Sequence, residues 1–285
     1  MNKLDKLSNI LICPKCKADL KMTADEFICI DCQSRFKHDQ SRIFLTVGDN
    51  YLPEINDKTI FEIKLFLKKF PYLYKFLCYF FGAPLVGSSP YKFIESFTAT
   101  STILNIGSGP KVVRKDVINL DIYPFPNVDL VADAGNIPIK NSSADAIICE
   151  SLIEHVKNPP ALISELYRIL KPKGRIYLVA PFILSFHSSP NDFYRWTDQG
   201  LTELFLNAGF VNIKITVLYG PTSSLINIFS EWLAILLSFN SQNIHNFLYI
   251  LFYTILSPIK FLDFILAKFN SSKNSALGFG ITAEK

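Results

Sequence analysis

Ile103-Leu104-Asn105-Ile106-Gly107-Ser108-Gly109 is an apolar run that turns sharply on two glycines. Val117-Ile118-Asn119-Leu120-Asp121 follows as a second run closed by a carboxylate, and Val128-Asp129-Leu130-Val131-Ala132-Asp133 as a third. After a polar turn, Ala144-Asp145-Ala146-Ile147-Ile148-Cys149-Glu150 is a fourth, and Lys171-Pro172-Lys173-Gly174 leads into a further strand ending at Pro181. Short apolar runs bounded by turn residues read as buried strands of a parallel sheet. In an open sheet of that kind, ligands bind outside the carboxyl ends of the strands, at the switch point. Here those ends carry the glycines and acids that a nucleoside ligand needs.

Downstream, Asp198–Ala208 reads as a helix that starts at Thr197 or Asp198 and stops at Gly209. Val211–Leu218 is then a strand, and Ala276–Ala283 the last one, with apolar helical sequence from 222 to 270 between them. Such an insertion is topologically cheap, because both of its ends return to the same sheet edge. Only eleven residues separate Gly109 from Asp121, and they include Pro110, Lys111, Arg114, Lys115 and Asp116. No full helix fits there. That spacing and the missing third glycine argue against a nicotinamide-dependent dehydrogenase.

The chain has 285 residues, 49% of them hydrophobic, which supports a sizeable core. Its 25 phenylalanines concentrate in residues 60–97 and 223–268, outside the sheet pattern. A net charge of +4 does not demand nucleic acid, and none is expected as a partner. Met-Asn-Lys-Leu-Asp-Lys-Leu at the N-terminus is too polar for a secretory signal, so a cytoplasmic location is expected. Phe247–Lys268 is interrupted by Pro258, Lys260 and Asp263, and Leu225–Phe239 is short and holds Glu231. Neither is a convincing membrane span, although together they would make a membrane-seated hairpin on the inner face. Residues 49–57 read as a linker, and Lys58 to Phe81 as two helices broken at Pro71, either a collar packed on the sheet domain or basic, aromatic helices lying on a membrane surface. The resulting division is 1–48, 49–98, 99–221, 222–273 and 274–285.

Cys13, Cys16, Cys29 and Cys32 form C-x2-C-x12-C-x2-C, two knuckles that can close a tetrahedron of thiolates around a structural zinc ion. Redox pairs or free thiols are the other reading of this spacing. Cys78 and Cys149 fall outside the set and read as buried apolar residues. With Phe36 and Ile43-Phe44-Leu45, the segment resembles the small zinc-ribbon proteins that activate methyltransferases, here fused in cis. It departs from them at Ser41-Arg42-Ile43, so a separate protein partner is not implied.

Asn105-Ile106-Gly107-Ser108-Gly109-Pro110, Asp121, Ala132-Asp133-Ala134, Ser143-Ala144-Asp145, Leu152-Ile153-Glu154-His155-Val156 and Arg168–Gly174, with Ala208-Gly209-Phe210, together resemble the small-molecule class I S-adenosylmethionine-dependent methyltransferases. The resemblance implies a Rossmann-like α/β fold: a seven-stranded sheet with an antiparallel last strand, joined here to the zinc ribbon and the apolar helical insertion. It implies S-adenosylmethionine as cofactor, held by Asn105, Gly107, Ser108, Gly109, Asp121, Ile122, Asp133, Ala134 and Glu150. Asp121 is suited to the ribose hydroxyls, and by resemblance Asp133 faces the adenine. Glu150, at the end of the fourth strand, lies near the transferable methyl.

His187 is the candidate base, with Glu150 beside it as a second candidate catalytic residue, because His titrates in the useful range. Asp192, Tyr194 and Arg195 are expected to shape the acceptor pocket or bind an anionic group; the other reading is a loop anchor in which Arg195 pairs with Asp192 or Glu150. Glu154 and His155 are expected to stabilise the loop after the fourth strand, and Asp145 to serve the fold. The acceptor expected is a small molecule, a sugar or a lipid-linked intermediate. Cys149-Glu150-Ser151-Leu152 stands where an amine-methylating Asn/Asp-Pro-Pro-Tyr motif would be, which disfavours nucleic acid and protein amides. Peripheral membrane contact and a homo-oligomer are both compatible with the Phe-rich helices. The reading from another class is a non-catalytic scaffold anchored by the ribbon and those helices.

Overall fold

The computed structural model describes residues 3–39, 42–46, 82–187 and 191–285. The linker at 49–57, the helices expected from Lys58 to Phe81 and Cys78 lie outside the described residues. The strands are β1 (Leu20–Met22), β2 (Glu26–Cys29), β3 (Arg35–Lys37), β4 (Ile43–Phe44), β5 (Ile103–Ile106), β6 (Ile118–Asp121), β7 (Leu130–Val131), β8 (Ala144–Glu150), β9 (Leu170–Pro181), β10 (Val211–Tyr219) and β11 (Gly278–Glu284). The helices are α1 (Lys3–Ile10), α2 (Pro90–Ile94), α3 (Pro159–Ile169), α4 (Asp198–Asn207), α5 (Pro221–Leu237), α6 (Gln242–Leu256) and α7 (Asp263–Leu266).

β1, β2 and β3 form a small antiparallel sheet. The main sheet runs β10-β11-β9-β8-β5-β6-β7-β4. β4 through β9 pair in parallel, and β11 runs antiparallel between β10 and β9. The seven strands from β5 to β11 are the arrangement read from the sequence. An eighth, β4, is added at the far edge by the N-terminal segment, where the Ile43 and Leu45 amides donate to the carbonyls of Asp129 and Val131. The chain leaves β5 toward β6 and β7, then returns to β8 on the other side. The crevice at that reversal lies above the carboxyl ends of β5 and β8.

Every residue of β5 and β6 is buried, as a strand covered on both faces requires. Side chains alternate between two apolar clusters: Leu104, Ile106, Ile147, Cys149 and Leu178 face one, and Ile103, Ala146, Ile148, Tyr177 and Val179 the other. α3 and α4 cover the first face. Between β7 and β8 stands only one turn of 3-10 helix, Ala134–Asn136. The N-terminal segment fills the space this leaves, bringing Leu7, Leu11, Phe27 and Phe36 into the same cluster as the sheet. Its backbone joins in as well: the Ile12 amide donates to Pro138 O and the Lys140 amide to Ile10 O. On the second face no helix follows the glycine turn, and Ile94 of α2 covers the strands. Asp145 binds the Thr102 amide and the Lys171 ammonium, tying β8 to the start of β5 and to β9.

Between β10 and β11 the insertion folds as α5, α6, a 3-10 stretch at Ser257–Leu262 and α7. It closes on itself through Asp263, whose carboxylate accepts the Thr222 and Ser223 amides and the Ser223 hydroxyl at the start of α5. A carboxylate there meets the unpaired N–H groups and the positive end of the helix dipole. Gly220 permits this approach, since a Cβ on it would stand 2.3 Å from Asp263 Cγ.

The shared core makes a definite prediction. Leu11→Ala, at a residue 2% exposed, should cost about 2–5 kcal/mol. Urea unfolding followed by tyrosine fluorescence and by far-ultraviolet circular dichroism should show one coincident transition shifted to lower urea; two separated transitions would show independent units.

Candidate active site

The glycine bend is built on two left-handed residues, Gly107 (φ +68°) and Gly109 (φ +53°), a conformation that costs a residue with a Cβ about 1–2 kcal/mol. A Cβ on Gly107 would lie 2.9 Å from Leu152 Cδ2, whereas one on Gly109 would meet nothing within 4 Å. The first glycine is therefore needed for packing, and the second leaves backbone open to approach. The Gly107 and Ser108 amides donate to Leu120 O, which holds the bend against β6. Asp121 ends that strand. Its carboxylate accepts the Gly109 amide at 2.7 Å and the Tyr123 amide at 2.9 Å. The acid and the glycine bend thus meet directly at the switch point.

The other residues named from the sequence divide. Ser108 is buried in the bend, with its hydroxyl on Gly109 O, and Ile122 is half-buried beside Asp121. Asp133 is exposed and caps the short 3-10 turn through the Gly135 amide, with Ala134 packed against the core beside it. Glu150 ends β8 and pairs with Lys111 across the crevice at 2.6 Å. The side chain of Asn105 lies within the sheet. Its amide donates to Asn119 Oδ1 within the sheet, and the residue is only 2% exposed, so its side chain bridges β5 and β6 rather than facing the crevice.

The described residues between β9 and α4, 182–187 and 191–197, form the facing wall. All five N–H groups of Arg195 are engaged, by Leu184 O, Tyr194 O, Ser185 O and both Asp192 oxygens. Asp192 also accepts the His187 amide, and the Tyr194 hydroxyl donates to Lys157 O. Arg195 and Asp192 therefore shape the wall, and the guanidinium has no donor left for an anionic group. Burial works against charge on Asp192, yet the Arg195 and His187 hydrogen bonds hold its carboxyl below the usual range. Burial lowers the His187 imidazole, opposed by Asp192. His187, Glu154 and His155 converge at the base of this wall. Burial raises the Glu154 carboxyl to about 7.

Two features of the site were missed from the sequence. The Ser185 amide and hydroxyl both donate to Asn227 Oδ1 of α5, and Asn227 in turn donates to the Tyr249 hydroxyl of α6. The site wall is thus fastened to the helical insertion. α5 is also inverted. It buries Ser223, Asn227, Ser230 and Ala234 and exposes Leu225, Ile228, Phe229, Trp232, Ile235 and Leu236. The signal was present, since 223, 227, 230 and 234 are spaced as one helix face.

At the N-terminus the four cysteine sulfurs lie within 4.8 Å of one another, with 3.6 Å between Cys13 and Cys32 and 3.3 Å between Cys16 and Cys29. Tetrahedral zinc with bonds of about 2.3 Å sets sulfurs about 3.8 Å apart, so the donor set and its spacing fit that ion.

A family described as "Methyltransferase domain" matches residues 105–178, roughly a quarter of the chain. No curated protein matches. Among solved structures, phosphoethanolamine N-methyltransferase 2 of Haemonchus contortus, in complex with phosphomonomethylethanolamine and S-adenosylhomocysteine, is 17% identical. That match covers 82% of this chain and 61% of the nematode chain, with a TM-score of 0.47. In a second structure of that enzyme the share of its length is 50%, so this chain spans half to three-fifths of it. A methyltransferase from Archaeoglobus fulgidus is 18% identical over 80% of this chain and 100% of its own, with a TM-score of 0.42. A SAM-dependent methyltransferase from Thermotoga maritima is 13% identical over 78% and 98%, at 0.44. The fold is that of a class I methyltransferase, on the evidence of the strand order and the domain match.

Proposed function

We propose that this chain is an S-adenosylmethionine-dependent methyltransferase whose acceptor is a small molecule presented at a membrane surface, with a lipid-linked molecule the favoured form. The observation that carries the cofactor assignment is the carboxylate of Asp121 fixed beside an open glycine bend. Gly109 would let the cofactor lie against backbone, Asp121 would take the ribose hydroxyls, Asp133 and Ala134 would flank the adenine, and Glu150 would lie toward the methyl. When bound, S-adenosylmethionine supplies a methyl group already activated by its sulfonium. The protein's task is then to hold the acceptor in line and exclude water. The described part of the β9–α4 loop, laced by Arg195 and Asp192, would form a wall for that purpose, with His187 on it.

Calorimetric titration with S-adenosylhomocysteine tests this reading. Saturable binding is expected, weakened at least tenfold in Asp121→Ala and in Gly109→Ala, with both variants folded. Absence of binding to the wild-type chain would favour the scaffold reading.

The case for an apolar acceptor rests on α5 and its link to the wall. A helix with its polar stripe inside and its bulky apolar residues outside does not suit water on its outer face. α6 continues that surface with Ile244, Phe247, Ile250 and Ile255 exposed. Gln242–Leu266, at 25 residues, is by length and composition apolar enough to cross a membrane, and its most apolar 18-residue window is only 17% buried. We assign this face to the lipid interface. Co-sedimentation with anionic phospholipid vesicles is expected, and Trp232→Asp combined with Phe247→Asp should abolish it. Self-association without vesicle binding would instead assign the face to a second copy.

The cysteine cluster is assigned a structural zinc ion. Because Cys13 and Cys29 lie in the same core as the sheet, removing the metal should weaken the whole molecule. Thermal unfolding after treatment with a strong chelator should show one transition at lower temperature, restored by adding zinc. An unchanged transition with zinc absent by elemental analysis would refute the assignment.

A further inference from the structure

Glu154, His155 and His187 meet just beyond the end of β8, and neither the cofactor reading nor the fold accounts for them. The Glu154 side chain is 1% exposed, and its Oε2 has no hydrogen-bond partner among the described residues. Its Oε1 lies 3.8 Å from Nε2 of His155 and 3.8 Å from Nε2 of His187, too far for a hydrogen bond to either. Leaving a carboxylate oxygen buried and unmatched is costly. Something positive belongs between these groups.

The outer nitrogens of both rings show how they are oriented. His155 Nδ1 contacts the Asn191 carbonyl, which can only accept, so the proton sits on Nδ1 and the lone pair on Nε2. His187 Nδ1 lies 3.4 Å from Asp192 Oδ2 and 3.5 Å from Arg195 Nη2. His187 thus turns Nδ1 toward the Asp192–Arg195 pair and Nε2 toward Glu154. Both Nε2 atoms therefore face Glu154, and that of His155 presents a lone pair. A histidine that donates through one nitrogen to a carbonyl or carboxylate while offering the other is the usual setting of a metal ligand.

We propose that Glu154, His155 and His187 bind a divalent first-row transition cation, with its remaining coordination positions open toward the crevice. Two imidazoles and one carboxylate suit such an ion, and three protein ligands with open positions mark a site that takes a further ligand. Metal–ligand bonds of about 2.0–2.2 Å place neighbouring ligand atoms roughly 3.0–3.5 Å apart. Rotation of the half-exposed His187 ring and of the Glu154 carboxylate would shorten the two 3.8 Å separations to that. Glu154 and His155 come from the 3-10 turn Ile153–His155 that follows β8 and His187 from the β9–α4 loop, so the ion would also pin the wall to the sheet. On the methyltransferase reading, on which this part rests, the open positions would hold an acceptor oxygen. A hydroxyl held there gives up its proton to water more readily than a free one.

The test uses the full chain with its cysteine cluster loaded with zinc, titrated with Co²⁺ and followed by absorption. One further equivalent should enter saturably, with ligand-field bands and no thiolate charge transfer. Glu154→Gln and His187→Ala should each weaken that uptake at least tenfold. No such bands, bands of thiolate type only, or wild-type uptake in both variants would overturn the proposal. S-adenosylhomocysteine titration of the same samples shows whether the variants are folded. It also keeps the cofactor reading separate, since that ligand can bind whether or not cobalt does.

Discussion

The carboxylate of Asp121 accepts amide protons from Gly109 and Tyr123, and this fastening locks the glycine bend to the end of β6. The bend then has to leave β5 in the left-handed conformation that only glycine adopts cheaply. With no helix following it, one side of Gly109 stays open. The same carboxylate is thus a structural clamp and, on the proposed function, the group that would take the ribose hydroxyls. Charge-assisted bonds to backbone N–H groups are strong and directional, which suits both roles.

The short connections on this half of the sheet have a second consequence. A parallel sheet needs cover on both faces, and where helices are missing the N-terminal segment supplies it. Leu7, Leu11, Phe27 and Phe36 pack in the same cluster as Leu104 and Leu120, and β4 extends the sheet itself. A segment of this size would struggle to sustain a core alone. Here the cysteine cluster shapes a unit whose apolar side is completed by the sheet.

The other half of the molecule is organised around hydrogen bonds that cross between elements. Arg195 and Asp192 lace the wall, Asn227 ties it to α5, and Asp263 closes the insertion on the first turn of that helix. These links make the outward apolar face of α5 and α6 mechanically continuous with the site. An acceptor delivered along that face would arrive at the wall that bears His187. The Glu154–His155–His187 cluster lies where wall and sheet edge meet, so any ion held there acts on both.

The strands, the glycine bend, Asp121 at its strand end and the cysteine pairs were legible in the amino-acid order. Each depends on local rules: burial period, turn chemistry and ligand spacing. The absence of a helix between Gly109 and Asp121 was legible too, since eleven residues cannot hold both a helix and a strand. Tertiary structure alone decided that Asn105 turns into the sheet, that Arg195 spends every donor on its own loop, and that the N-terminal segment shares the main core. It alone brought His187 to Glu154, 33 residues earlier in the chain, and turned the polar stripe of α5 inward. Such outcomes depend on which surfaces compete for each face and donor once the chain is compact, and no local pattern encodes that competition.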